Sequence, residues 1–258
     1  MSWSIEAFAT FAAELADASG QIARRYYRAG VSVDTKADDS PVTQADREAE
    51  ACLREMITAR FPDHGIIGEE FGSGGTDREF VWILDPIDGT KAFITGRPTF
   101  GTLIGLLHHG VPILGVIDHP ALHERWIGAA GLPTRFQGAP VRTRPCADLA
   151  DAILANTAPE MFTGDRQPAF ERLRQTVKLP IYGGDCHNYG LLASGYIDVA
   201  VDATMAIYDF LPLVPVVNGA GGAITDWQGN AMSLDSDDRV IAVGDRRLLA
   251  PVVALLAG

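Results

Sequence analysis

Ile5, Phe8, Ala12, Leu15 and Ile22 recur at helical spacing, and this apolar stripe predicts a core-facing helix over residues 4–28. Residues 30–40 are polar and predict a mobile connecting loop. Thr43 stands where a helix N-cap belongs, with Asp46 three residues on as a capping-box partner. Ala49, Leu53, Met56 and Ile57 then give that helix one apolar face to about residue 60. The continuous apolar run 81–84 predicts a buried strand. Between residues 99 and 130, apolar runs alternate with Gly, Pro and His turns, which predicts a meander with strands over 103–107, 113–117 and 126–127.

Pro145 and the segment 148–151 mark a boundary between an N-terminal lobe, residues 1–145, and a C-terminal lobe, residues 146–258. In the second lobe the pattern predicts strands over 152–155, 197–201 and 240–243 and helices over 166–176, 186–194 and 246–256. Another helix is expected to start at about Asp209, with Pro212 in its first turn, where proline is tolerated. Pro215 lies deeper and should tighten or bend it. Alternating layers of helix and sheet give an α/β or α+β class.

The chain has 258 residues, 47% of them hydrophobic, enough for one large domain or two tightly joined lobes. Thirty-three acidic against 21 basic residues leave a net charge of −12, which argues against a nucleic-acid partner. Cys52, Cys146 and Cys186 are odd in number and lack metal-ligand spacing, so a reducing compartment is expected rather than a disulfide framework or a zinc site. Residues 1–6 do not read as a signal peptide, and no apolar run approaches the ~20 residues of a membrane span. A soluble cytoplasmic protein is the expectation.

The densest chemistry lies in Asp85-Pro86-Ile87-Asp88-Gly89-Thr90, at the end of the predicted strand. Pro86 stiffens the turn, and Gly89 lets the backbone bend sharply or approach a ligand. Two carboxylates at a strand end repel each other unless a proton or a cation intervenes. A hard cation such as Mg²⁺, which takes oxygen ligands and keeps waters for chemistry, is the simplest resolution. A strand-end turn with solvated aspartates is the plain alternative.

Upstream lie residues 41–46 and Gly68-Glu69-Glu70; downstream lie Tyr208-Asp209 and Gly219-Ala220-Gly221-Gly222. In this order the segments resemble the inositol monophosphatase family of Mg²⁺-dependent, Li⁺-sensitive sugar-type phosphatases, over about residues 34–244. Residues 61–72, 89–98, 182–186 and 208–217 are similar to the histidinol-phosphate phosphatase branch. The family at large usually has Trp-Asp and then small residues at the last of these places. Tyr208 and Phe210-Leu211 depart from that pattern and favour the histidinol branch.

The resemblance implies a layered αβαβα sugar-phosphatase fold, a homodimer, and two Mg²⁺ ions with a third, weaker position near Glu69. It assigns Glu69, Asp85 and the main-chain carbonyl of Ile87 to the first ion, and Asp85, Asp88 and Asp209 to the second. It implies that Glu69 and a Thr90–Asp46 pair orient the attacking water and accept its proton. The N–H groups of Gly89 and Thr90 and the start of the Asp209 helix would hold the phosphate. Lys36, in the polar loop, lies near the metals in the family and suggests a lid. An acidic protein repels a phosphate ester at long range, so bound cations would have to invert the local field.

Histidinol phosphate carries a cationic amine, whereas inositol phosphate carries neutral hydroxyls. Asp185 and Asp202 match family positions on the leaving-group side and are the candidate amine partners. Helix capping for Asp185 and a strand-end turn for Asp202 are the structural alternatives. Asn188 and Tyr189 are candidates for the same pocket, His187 reads as an ordinary helix residue, and Arg97 fits either a phosphate contact or a surface salt bridge. The other histidines lack paired spacing and receive no role. The expected activity is Mg²⁺-dependent hydrolysis of histidinol phosphate. Inositol-1-phosphate or a related sugar phosphate is the alternative substrate, and a non-catalytic metal-binding regulator the remote one.

Overall fold

The computed structural model describes residues 3–30, 33–35 and 41–257. Helix α1 (Ile5–Tyr26) follows the apolar stripe and buries Phe8, Phe11, Ala12 and Leu15. Strands β1 (Val33–Thr35) and β2 (Pro41–Thr43) pair antiparallel, so the segment expected to be loop through residue 40 is partly extended structure. Residues 36–40, with Lys36 and its suggested lid role, lie outside the described residues. Helix α2 (Gln44–Arg60) opens on the Thr43 N-cap with the capping box to Asp46 in place.

The chain then lays down β3 (Gly65–Gly68), β4 (Gly72–Gly74), β5 (Phe80–Asp88), the short helix α3 (Thr90–Ile94), β6 (Gly101–His108), β7 (Val111–His119), β8 (Glu124–Ala129), β9 (Arg135–Phe136) and β10 (Ala139–Pro140). These strands form an eight-stranded sheet in the order β10-β9-β8-β7-β6-β5-β3-β4. Its one parallel pair is β3 with β5, the two strands whose ends carry Glu69 and Asp85. The rest of the chain forms β11 (Ile153–Asn156), α4 (Arg166–Thr176), β12 (Leu179–Tyr182), α5 (His187–Ala193), β13 (Val199–Asp202), α6 (Ile207–Phe210), α7 (Leu213–Gly219), β14 (Ala223–Thr225), β15 (Val240–Val243) and, after a 3-10 turn, α8 (Leu249–Ala257). The second sheet runs β12-β11-β13-β15-β14.

Three apolar clusters join five layers. Phe8, Leu15, Leu53 and Ile57 of α1 and α2 pack on Trp82, Leu84, Leu106 and Val116 on one face of the large sheet. Its other face, with Ile83, Leu103 and Ile117, meets Tyr189, Leu192, Phe210 and Val216 of the central helices, which also cover Ala155 and Ala242 of the small sheet. Phe170, Leu173, Val252 and Leu256 of α4 and α8 cover the far face of the small sheet. The order is αβαβα. Among the described residues no helix is long and apolar enough to cross a membrane.

One sequence expectation needs correction. The helix bearing Asp209 begins at Ile207, and Pro212 lies beyond its end, as the N-cap of α7. Pro212 and Pro215 lack the N–H groups that a continuous helix would use at those places, so the segment divides into two short helices. Strands β12 and β14 were not apparent in the pattern. Strand β12 is a half-exposed edge strand containing Pro180, and β14 is only three residues long.

Candidate active site

Leu84 of β5 still pairs with Ile104 of β6, but the register shifts between Asp85 and Asp88. Pro86, inside the shift, cannot donate to a ladder, so pairing breaks here. The displaced backbone is held by side chains. The Ile87 N–H donates to Asp85 Oδ1 at 3.1 Å, and the buried Thr102 hydroxyl donates to the Pro86 carbonyl at 2.8 Å. Gly89 follows at φ +77°, in the left-handed region, and α3 starts at Thr90. The Thr90 hydroxyl donates to the Ile87 carbonyl at 3.3 Å. It is therefore not bonded to Asp46. Asp46 Oδ2 instead accepts from the Thr43 N–H at 2.8 Å and hydroxyl at 2.6 Å. The capping role of Asp46 is thus present, while its buried Oδ1 has no hydrogen-bond partner among the described residues.

Two other segments bring acids to this turn. Asp209 sits in the first turn of α6, and its Oδ2 accepts from the Ala206 N–H at 2.8 Å. From the turn before α5, the Cys186 N–H donates to Asp88 Oδ2 at 2.8 Å. One oxygen each from Asp85, Asp88 and Asp209 lie within 4.8 Å of one another. Glu69 is outside that tightest group but lies close enough for its charge to act on Asp85. Burial, with the negative charges of Glu69, Asp88 and Asp209, pushes the Asp85 carboxyl well above its ordinary range. Burial and the Asp88 charge do the same to Asp209. Asp88 is pushed up to about 6, mainly by burial, and the Cys186 N–H offsets part of the effect. Such a set, all oxygen and mutually repelling, suits a hard divalent cation.

Glu50, which sequence reasoning missed, shapes the turn carrying Glu69. It is fully buried. Its carboxylate accepts from the N–H groups of Glu70 at 2.7 Å and Phe71 at 3.2 Å, and from Arg54 Nε at 2.7 Å. A methyl group on Gly68 would overlap Glu50 Oε1, so this approach needs glycine. The signal available in sequence was its position four residues after Asp46, on the same face of α2.

Beyond the acids, Asp185, Asp202, Tyr189, Met161 and Met205 line a small cleft that also contains Asp88 and Asp209. Asp185 does not cap α5, whose N-cap is Cys186. It has φ +47° after Gly183 at +87° and Gly184 at +113°, a left-handed run that presses it against Gly89. A methyl group there would come within 2.8 Å of Asp185 Cγ. Asp185 is pushed up to about 7, by burial first and then by Asp88 and Asp202, against the opposing charges of Arg97 and Lys91. Arg97 thus lies close enough to act on Asp185, and no surface salt bridge holds it among the described residues. Asp202 is largely committed: Oδ1 accepts from Asn156 Nδ2 and the Thr157 N–H, each at 2.8 Å, and Oδ2 from the Tyr189 hydroxyl at 2.9 Å. Asn188 is buried beneath Gly184, and His187 is engaged by Glu124 at 2.9 Å.

Residues 4–257 match the model of the inositol monophosphatase family. The chain belongs to that family. Its members are metal-dependent phosphatases, generally using Mg²⁺. The chain is 47% identical over 240 residues to the bifunctional phosphatase IMPL2, chloroplastic, of Arabidopsis thaliana, covering 92% of this chain and 69% of that one. It is 37% identical to a histidinol-phosphatase of Chlorobaculum parvum over 90% of both chains. A solved structure of an inositol monophosphatase from Zymomonas mobilis superposes with a TM-score of 0.91 at 42% identity, over 100% of both chains. This family phosphatase therefore has the sugar-phosphatase fold.

Proposed function

We propose that this chain is a Mg²⁺-dependent phosphomonoesterase that hydrolyses L-histidinol phosphate to L-histidinol and phosphate. The observation that carries the reading is Asp185. It is a carboxylate additional to the Asp85–Asp88–Asp209 set, it faces the same cleft, and its side chain has no hydrogen-bond partner among the described residues. A substrate ammonium would supply that partner and relieve the repulsion from Asp88 and Asp202. The relatives named histidinol-phosphatase support the same reading. With it go the expectations of a homodimer and of a cytoplasmic enzyme of histidine biosynthesis.

Asp85, Asp88 and Asp209, with Glu69 and the Ile87 carbonyl, would hold two Mg²⁺ ions. Bound there, Mg²⁺ supplies neutralisation of phosphoryl charge and acidification of a water nucleophile. The N–H groups of Gly89 and Thr90, at the open end of α3, hold a phosphoryl oxygen. Glu69 accepts a proton from the attacking water, and the Thr90 hydroxyl, at the open end of α3, orients that water, while Asp46 keeps its capping place at Thr43. Asp185 binds the ammonium, while Tyr189, Met161 and Met205 offer apolar surface to the rest of the leaving group. Asp202 fixes the Tyr189 ring rather than binding the amine. A second reading, hydrolysis of inositol-1-phosphate, is favoured by the 42% identity to a solved inositol monophosphatase.

Phosphate release from both esters, with Mg²⁺ and with a chelator in its place, tests the proposal. Turnover of histidinol phosphate that disappears with the chelator is expected. Turnover of inositol-1-phosphate alone would remove the substrate assignment. Inactivity toward both would leave a metal-binding protein without this chemistry.

A further inference from the structure

Glu79, His108 and His109 each place one ligand atom so that all lie within 4.8 Å of one another. They lie at the start of β5 and at the β6–β7 hairpin, whereas the aspartate cluster begins at the end of β5. At a rise of about 3.3 Å per residue, the two groups are roughly 20–30 Å apart along the strand. Side chains of consecutive strand residues point to opposite faces, so neighbouring histidines do not ordinarily share a target. Here His109 adopts φ +50°, which folds its ring back until the His108 and His109 ring centres are 4.4 Å apart. The His109 N–H donates to the Glu79 carbonyl at 2.8 Å, which fixes the hairpin tip beside Glu79. His108 Nε2 lies 3.1 Å from Glu79 Oε1. The His108 ring is also held by stacking, on Phe80 at 4.7 Å and against Trp3 at 5.1 Å.

We propose that Glu79, His108 and His109 form a binding site for a divalent transition-metal ion of the zinc class, separate from the aspartate cluster. Imidazole donors suit Zn²⁺, Ni²⁺ and Cu²⁺, whereas Mg²⁺ takes oxygen ligands, so the two sites select different ions. Three protein ligands leave a fourth position of a zinc-class ion open to water. The Glu79 side chain is half exposed, and its carboxylate already lies beside His108 Nε2. The ion would pin the start of β5 to the hairpin and, through the Trp3–His108 stack, to the head of α1. The site does not depend on the proposed phosphatase substrate.

The test is calorimetric titration of the untagged full chain with Zn²⁺ in saturating Mg²⁺, for the wild type and for His109→Ala. His109 is on an exposed turn, so the variant keeps the fold, and its Mg²⁺-supported phosphate release should equal that of the wild type. The expected result is one Zn²⁺ per wild-type chain at this site, with binding at least tenfold weaker in His109→Ala and also weakened in Glu79→Gln. Ni²⁺ should quench the fluorescence of Trp3 in the wild type and lose most of that effect in His109→Ala. Equal Zn²⁺ affinity and stoichiometry in wild type and variant would overturn the proposal. So would complete displacement of Zn²⁺ by Mg²⁺, which would assign the ion to the aspartate cluster.

Discussion

Gly115 of β7 lies directly beneath Pro212, so close that a methyl group on Gly115 would overlap the Pro212 carbonyl oxygen. The contact continues along a row. Gly105 of β6 and Gly128 of β8 flank Gly115 in register, and a methyl group on Gly128 would overlap the Pro215 carbonyl. Three glycines thus cut a groove across the large sheet for the start of α7, which follows directly on α6, the helix that carries Asp209. Gly115→Ala should cost about 2–3 kcal/mol, the scale of overpacking a filled core, and should weaken Mg²⁺ binding through displacement of Asp209. Gly74→Ala has nothing within 4 Å of the added methyl and should change stability by less than about 0.5 kcal/mol. Denaturant unfolding of both variants checks the pair; equal stability would show that the groove is not tight.

Asp88→Asn should lower kcat/KM at least a hundredfold, a loss of about 3 kcal/mol of transition-state stabilisation. The fold should survive, because the amide oxygen can still accept from the Cys186 N–H. Without metal the variant should be at least as stable as the wild type, since one charge of a repelling buried set is gone. Thermal melts with and without Mg²⁺ would show this, with a smaller Mg²⁺-induced rise in the variant. More than a tenth of wild-type activity remaining would contradict the metal assignment.

Glu50→Gln tests support for Glu69 from a residue outside the reaction. The amide would turn its own NH₂ toward one of the N–H donors that Glu50 now satisfies, so the Glu69–Phe71 turn should shift. A roughly tenfold fall in kcat/KM, about 1.4 kcal/mol, is expected with folding intact. An unchanged rate would mean that the turn is held by its strand pairing alone.

His119 links acid stability to the site. It is buried, its Nδ1 meets the Phe100 carbonyl at 2.9 Å, and its Nε2 lies 3.8 Å from Cys186 Sγ, next to the N–H that holds Asp88. Burial, aided by the charge of His187, lowers its pKa to about 3. The unfolded chain then binds a proton at His119 from about pH 6.5 downward while the folded chain does not. The stability is full above pH 6.5 and falls with acidification toward pH 3, by about 2 kcal/mol at pH 5. His119→Asn should flatten this part of the stability–pH curve in chemical denaturation between pH 7 and pH 5. An unchanged slope would show that His119 is not the group responsible.

Local signals were legible in the sequence. The Thr43–Asp46 capping box, the helix Arg166–Thr176 and the strand Val240–Val243 each depend on neighbours a few residues away, and the structure has them. The acids of the Asp85–Thr90 run and Asp209 were visible through their motifs, and the structure brings Asp85, Asp88 and Asp209 together. What was not legible depends on distant partners. Glu50 acts on N–H groups 20 and 21 residues away, and the Gly105–Gly115–Gly128 row has meaning only once three strands are in register. Asp202 looked like a free amine partner because Asn156, Thr157 and Tyr189, which occupy it, come from other elements.

The most direct test is the ratio of kcat/KM for L-histidinol phosphate to that for inositol-1-phosphate, measured with Mg²⁺ for the wild type and for Asp185→Asn. The account predicts a wild-type ratio of about a hundred or more, of order 3 kcal/mol, and at least a tenfold collapse in the variant with the inositol-1-phosphate rate little changed. A wild-type ratio near or below one, or a ratio that Asp185→Asn leaves intact, would contradict it.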